Sequence, residues 1–153
     1  MSFKNTLFIT LFTALLSSCG LLYEYRSLHE FKGFEWNNSD PQSFEFEIEK
    51  EGYYNIELIG RHLTGFPFKD LNCSISMTNQ EEQMETMVTI PIIADDGMYL
   101  SEGGGDFWDF EFPALNNVLL KPAKYTIIVN HQMNKNPLPL FMEIGIQVVK
   151  AEK

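Results

Sequence analysis

The sequence predicts an all-β protein, built as a single antiparallel β-sandwich of the immunoglobulin-like or jelly-roll-like kind. Apolar and polar residues alternate along successive segments of the chain, and short turn sequences rich in Gly, Pro and Asp separate these segments. A period of two is typical of a strand with one buried and one solvated face. Short strands separated by regularly spaced turns are typical of a sandwich.

The clearest strand pattern is segment 43–49, in which three apolar residues alternate with three glutamates. Alternation of this kind puts the apolar side chains on one face and the carboxylates on the other. The same pattern predicts strands over 54–58, 73–77, 88–92, 125–131 and 142–149.

Two features refine the strand prediction. Pro91 has no N–H to donate to a ladder, so its strand is expected at a sheet edge or with a bulge. Segment Thr78–Glu85 is polar and suits either a wide hairpin or a single helical turn. We favour the hairpin.

The N-terminus has the order of a bacterial lipoprotein export signal. Lys4 precedes an apolar run from Leu7 to Leu16, and Leu16-Ser17-Ser18-Cys19 closes the run. A charged start, a short apolar middle and a small-residue cleavage site are typical of signal peptides, and the run is shorter than the about 20 residues that span a bilayer. We expect cleavage after residue 18 and acylation of Cys19, which would hold the mature protein on a membrane.

Removal of residues 1–18 leaves 135 residues (153 − 18), enough for one domain with a hydrophobic core. We divide the mature chain into an N-terminal arm, residues 19–42, and the sandwich, residues 43–150. The arm has no Gly/Ser-rich tether and is rich in large apolar side chains, so we expect it to pack on the sandwich and to hold the domain close to the membrane. These residues are Tyr23, Tyr25, Leu28, Phe31, Phe34 and Trp36.

The charge and the cysteines exclude several classes of protein. The formal charge of −10 becomes −11 when the signal peptide with its single Lys4 is removed, and such acidity argues against a nucleic-acid partner. Acylation of Cys19 leaves Cys73 as the only thiol, so no disulfide is expected. Cys73 alternates with apolar residues, which predicts a buried and inert thiol.

The sequence contains no recognisable catalytic motif. His29, His62 and His131 lack a second ligand at zinc spacing, and no Gly-x-Ser-x-Gly elbow is present. The glycine run 103–105 lacks the Lys-Ser/Thr of a phosphate loop. We therefore predict a protein that is not an enzyme and that uses neither a cofactor nor a metal.

Two chemical alternatives stay open. The four aspartates Asp95, Asp96, Asp106 and Asp109 lie in a Gly-rich segment, and calcium takes oxygen ligands of this kind. Asp109 and Glu111 would share a strand face, so a glycosidase pair is conceivable. A turn followed by a solvated acidic loop explains both groups more simply.

A surface for a partner or ligand is predicted at Asp106, Trp108, Asp109 and Phe110. Aromatic side chains here fall on both alternating faces of the segment, so some must be exposed or covered by a loop. Core packing accounts for most of them. Exposed aromatic rings would suit a protein partner or a sugar ring.

A series of short motifs runs in a characteristic order along the mature chain. The motifs are Tyr23-Glu24-Tyr25, Trp36, segment 40–48, segment 54–59, Arg61, Phe66-Pro67, Leu71, Asp96-Gly97, Gly103-Gly104-Gly105-Asp106, Phe112-Pro113, Gln132-Met133, Pro137-Leu138-Pro139 and segment 145–148. This ordered series resembles GldH, a family of gliding-motility lipoproteins from the Bacteroidetes. The departures from the family pattern lie in loops, at Met98–Glu102 and Leu140-Phe141.

The resemblance implies a cell-envelope lipoprotein that supports gliding, which in this group is coupled to type IX secretion. The resemblance implies that Cys19 is the lipidation site, and it implies no catalytic residue. We expect an accessory or scaffold component at the outer membrane, with the periplasmic side favoured. Its partners would be membrane lipid, through Cys19, and other motility or secretion proteins of the envelope. The alternative is a glycan-binding lipoprotein of a polysaccharide-uptake system.

Overall fold

The computed structural model describes residues 23–151, so the predicted signal peptide and Cys19 lie outside the described residues. Within this range the chain forms eleven β-strands and a 3-10 turn at Lys32–Phe34. The strands are β1 Tyr25–Glu30, β2 Glu35–Trp36, β3 Gln42–Ile48, β4 Gly52–Leu63, β5 Asp70–Thr78, β6 Gln83–Pro91, β7 Glu102–Gly104, β8 Phe107–Leu120, β9 Ala123–His131, β10 Leu138–Pro139 and β11 Phe141–Lys150.

The strands form two main antiparallel sheets that pack as a sandwich, so the predicted fold class is confirmed. One sheet has five strands in the order β1-β11-β4-β8-β7, and the other has four in the order β3-β9-β5-β6. A small ladder joins β2 to β10. Residues 23–151 include no helix with the length and apolar character of a membrane span.

The predicted hairpin over Thr78–Glu85 is present. β5 ends at Thr78 and β6 begins at Gln83, and between them the Asn79 side-chain oxygen accepts hydrogen bonds from the N–H groups of Glu81 and Glu82 at 2.8 and 2.7 Å. Asn is favoured in such turns because its side chain satisfies nearby backbone donors. Pro91 ends β6, which is an edge strand, as its missing N–H requires.

The segment after β1 closes one end of the core. Trp36 is fully buried, and its ring centroid lies 5.1 Å from that of Phe31 and 5.6 Å from that of Phe141. The Trp36 Nε1–H donates to the Asp40 carbonyl oxygen at 3.0 Å, which satisfies the buried indole. The described part of the predicted arm therefore supplies strands and core side chains to the sandwich.

Cys73 lies on β5 with its side chain fully buried between the sheets. Burial raises the pKa of the Cys73 thiol to about 12, because the charged thiolate would lose its hydration. The thiol is therefore protonated at neutral pH and has the character of a small core side chain.

Candidate interaction site

The β7–β8 hairpin carries the predicted surface residues. Gly104 lies opposite Phe107, and Gly105–Asp106 forms the two-residue turn between the strands. Gly103 has φ +148°, and a Cβ at this position would collide with the Phe107 carbonyl oxygen. Gly103 is thus required by the tight hairpin, since only glycine adopts this backbone without a clash.

Trp108 is held in place by its neighbours. Its ring centroid lies 4.7 Å from that of Tyr99, on the loop before β7, and its Nε1–H donates to Thr64 Oγ1 at 2.8 Å. Thr64 Oγ1 in turn donates to the Gly105 carbonyl oxygen at 2.6 Å. The indole therefore ties the loop and the hairpin to the end of β4, and its polar atom is already satisfied.

The other three predicted residues divide between surface and core. Asp106 and Asp109 are exposed, whereas Phe110 is buried with its ring centroid 6.2 Å from that of Phe141. Adjacent strand residues point to opposite faces, so Asp109 and Phe110 cannot share a surface. The candidate surface therefore excludes Phe110.

Asp109 belongs to a polar row on the outer face of the five-stranded sheet. It lies directly opposite Arg61 of β4, whose guanidinium makes two hydrogen bonds to its carboxylate, Nε–Oδ1 at 2.6 Å and Nη2–Oδ2 at 3.0 Å. Arg61 Nη1 also lies 3.8 Å from Glu143 Oε1 on β11. Parallel hydrogen bonds of this kind fix the arginine in one orientation.

A second polar cluster lies beside the first on the same face of the sheet and is centred on Gln147. Its amide oxygen accepts from Arg26 Nη1, and its amide nitrogen donates to both Glu57 Oε2 and Glu111 Oε1, the latter at 2.6 Å. Burial, followed by the neighbouring Glu57 carboxylate, raises the pKa of the Glu111 carboxyl above its usual value. The buried amide thus bridges one arginine and two carboxyl groups.

These two polar groups line a surface cleft of about 700 Å³. Pro91 of β6 and Leu100, on the loop before β7, also line the cleft. Asp109 and Glu143 bind Arg61, and Arg26 donates to the amide oxygen of Gln147. More carboxylates than cations line the cleft. The cleft therefore presents an acidic surface with an ordered arrangement of side chains.

Three of the four carboxylates considered for calcium have separate partners. Asp95 pairs with Lys69 Nζ at 2.9 Å, Asp96 Oδ1 accepts from the Met98 N–H at 3.0 Å, and Asp109 pairs with Arg61. Across residues 23–151, no three His, Cys, Asp or Glu side chains come together in a way that could hold a metal ion.

Exposed apolar side chains concentrate in the segment that contains this hairpin. Met98, Leu100 and Phe107 are 66%, 56% and 49% exposed. We call these three residues the distal cluster. The acidic residues that flank them in sequence are Asp95, Asp96, Glu102, Asp106 and Asp109. Exposed apolar side chains among acidic residues mark interaction sites in many proteins.

Two of the three histidines are buried, and neither takes part in the cleft. His62 faces the core, where Nε2 lies 2.9 Å from Ser101 Oγ. Burial lowers the pKa of both His62 and His131, since the charged ring would lose its hydration. These histidines have the surroundings of core residues.

Sequence reasoning missed the residues that organise the outer face. Arg61, Glu57 and Gln147 lie on β4 and β11 with their side chains on this face, opposite the buried alternating positions. Period-two alternation within 54–63 and 142–149 is the signal that could have placed them on one face. Their convergence depends on long-range strand pairing, which one sequence does not show.

Together the fold and the site define an antiparallel β-sandwich domain with an acidic cleft and an exposed apolar cluster beside it. The chain belongs to the GldH lipoprotein family, whose model matches residues 23–148. It is thus a lipoprotein of the gliding system, with a lipid-anchored place in the cell envelope. No curated protein matches the chain.

Two solved structures are similar to this chain at low identity. TmCBM61, in complex with beta-1,4-galactotriose, is 11% identical with a TM-score of 0.37, and the match covers 84% of this chain and 90% of that one. Eiger TNF from S. frugiperda is also 11% identical with a TM-score of 0.34, covering 84% and 88%. These likenesses carry no argument about function.

Proposed function

We propose that the protein is a non-catalytic accessory lipoprotein of the outer membrane, on its periplasmic side. It holds or stabilises other components of the gliding and type IX secretion machinery, and it makes this contact through the distal cluster. Membership of the GldH family supports the connection with gliding. We infer the contact surface from the exposure of Met98, Leu100 and Phe107 within one ten-residue segment.

The position of the distal cluster favours a partner away from the membrane. In the β4–β8 ladder Leu63 pairs with Phe107, and Tyr53 pairs with Leu119. The two pairs are ten residues apart along β4, which corresponds to about 33 Å at about 3.3 Å per residue. The chain enters β1 at the Tyr53 end, because Tyr25 lies opposite Val148 and Lys150 lies opposite Tyr54.

The arrangement of the polar side chains supports a binding role over a catalytic one. Arg61 is engaged by Asp109 and Glu143, and Gln147 has its oxygen and nitrogen both engaged. Asp109, one half of the conceivable glycosidase pair, is committed to the arginine. A catalytic acid or base needs a free proton position toward its substrate, whereas a rigid set of satisfied charges suits recognition.

Deletion and complementation test the proposal. In a strain without the gene, colony spreading and export of type IX cargo are measured after complementation with wild type or with Cys19→Ala. We expect both activities to be lost on deletion and restored by wild type alone, because the variant lacks the acylated residue. Spreading and export that survive deletion would contradict the proposal, and the glycan-binding alternative would then be tested on a polysaccharide affinity gel.

A further inference from the structure

The end of the sandwich at which the chain arrives from the anchor carries its own exposed apolar pair. Tyr53 of β4 and Leu119 of β8 lie directly opposite each other and are 54% and 48% exposed. Their inward neighbours Tyr54 and Leu120 are buried in the core. Within residues 23–151 about half of each residue stays exposed to solvent, so covering the pair would supply further hydrophobic free energy.

The length of the chain outside the described residues limits how far this end can be from the lipid. Cys19 precedes Tyr23 by four residues, and four extended residues span at most about 14 Å. The Glu24 N–H already donates to the Val148 carbonyl oxygen at 2.8 Å, so the sheet begins immediately. A domain with so short a connection must lie against the bilayer that holds its acyl chains.

The strand order places the apolar pair beside the point of entry. β1 and β8 are separated by β11 and β4, and three strand spacings of about 4.8 Å give about 14 Å between them. The end of β11 also contacts the pair, because the Ala151 N–H donates to the Tyr53 carbonyl oxygen at 2.9 Å. Tyr53 and Leu119 are therefore within reach of the same patch of lipid as the anchor.

The charges of the two ends favour the same orientation. Four lysines and four glutamates are exposed at the entry end, namely Lys50, Lys121, Lys124 and Lys150 with Glu24, Glu47, Glu49 and Glu51. Lys50 and Lys150 line one depression there together with Glu24, Glu47 and Glu49. The distal end has an excess of acidic residues: Asp95, Asp96, Glu102, Asp106 and Asp109 are exposed there, and only Asp95 and Asp109 are paired with a cation, Lys69 and Arg61. Lipid phosphates repel carboxylates and attract lysines, so the charge-balanced entry end suits the headgroups better than the acidic distal end does.

We infer that Tyr53 and Leu119 dock on the membrane that carries the anchor, with the phenol ring and the leucine at the level of the lipid headgroups. Tyrosine is favoured at this depth because it has an apolar ring and a polar tip. Docking would orient the sandwich so that its long axis points away from the bilayer. The distal cluster would then lie about 33 Å from the membrane. The inference rests on anchoring at Cys19, as in the proposed function.

Fluorescence quenching by lipid tests the inference with the full lipidated protein. Leu119→Cys is labelled with a nitrobenzoxadiazole maleimide and reconstituted into phosphatidylethanolamine and phosphatidylglycerol vesicles that contain headgroup-region spin-labelled lipid. Ile128→Cys, an exposed apolar position on the outer face of the four-stranded sheet, is the matched control. The native Cys73 is buried and does not compete for the label.

We expect lipid to shift the emission at position 119 to the blue and quench most of it, with no change at position 128. Equal emission at the two positions, both unquenched or both quenched, would overturn the inference. Vesicle flotation of the same samples separates this outcome from failure of the anchor, because an unanchored protein would not float at all. The quenching does not depend on any protein partner, so it does not test the distal cluster.

Discussion

The ring of Phe110 lies over Gly60, the residue opposite it on β4. A Cβ built on Gly60 would lie 2.5 Å from Phe110 Cζ and 2.8 Å from the Glu143 carbonyl oxygen. Both groups are fixed, the ring by the core and the oxygen by the backbone of β11. Glycine at this position is therefore a packing requirement of the five-stranded sheet.

Gly60→Ala is predicted to lower the free energy of unfolding by about 1–3 kcal/mol, the usual cost of an overpacked core. Urea unfolding at neutral pH measures the change. Gly104→Ala is the control, because a Cβ at position 104 meets no atom within 4 Å. A variant with Gly60→Ala that unfolds at the same urea concentration as the control would contradict the packing account.

Asp109→Asn is predicted to lower the free energy of unfolding by less than about 1 kcal/mol, since exposed ion pairs contribute little. The side chains of Arg61 and Asp109 are 37% and 55% exposed, so water screens their attraction. Urea unfolding in low and high salt measures the effect, and the difference from wild type should shrink as salt increases. A large loss that persists in high salt would show that the pair is structural.

Glu111→Gln is predicted to gain stability relative to wild type as the pH rises. Burial and Glu57 raise the Glu111 pKa in the folded state above its ordinary value of 4.5, so the folded protein binds the proton more tightly than the unfolded chain. The wild type therefore has this contribution below pH 4.5 and loses it as the pH passes through the folded pKa.

Urea midpoints of wild type and Glu111→Gln, measured from acidic to neutral pH, test this sign. The variant keeps an oxygen that can accept from Gln147, so loss of that hydrogen bond does not confuse the comparison. A wild type that gains on the variant as the pH rises would contradict the assignment of the raised pKa.

Cys73 is predicted not to react with a thiol reagent in the folded protein and to react fully in urea. Its side chain is buried, and its pKa of about 12 leaves almost no thiolate at neutral pH. Mass spectrometry after brief alkylation, with and without urea, measures the modified fraction. Rapid modification without denaturant would show that β5 opens readily or that the thiol is accessible.

The strand predictions are confirmed where one face of the strand is exposed to solvent and the other is buried. Segment 43–49 is predicted as a strand and the structure has β3 at Gln42–Ile48, because its apolar and acidic residues alternate without interruption. β1 is absent from the prediction, since outward-facing Leu28 and inward-facing His29 invert the pattern. Leu28 points outward because it lies over Gly145, a contact between distant segments.

The strand β8, 14 residues long, is also absent from the predicted strands. The aromatic residues of β8 lie on both of its faces, and Pro113 has no N–H to donate to a ladder. The register of β8 against β4 also shifts near Ile56. The polar partners within the candidate site were not predictable for a related reason. The partners of Asp109 and Glu111 are Arg61 and Gln147, which only the pairing of β4, β8 and β11 brings together.

Colony spreading of a strain with a disrupted distal cluster tests the central claim most directly. The test variant is Met98→Ser with Phe107→Ser, and the control is Met87→Ser with Ile128→Ser, two exposed apolar residues of the other sheet. Both proteins are compared at equal abundance in the envelope. The account predicts that the test variant spreads like the deletion strain and the control like wild type. Wild-type spreading by the test variant would contradict a partner contact at the distal cluster.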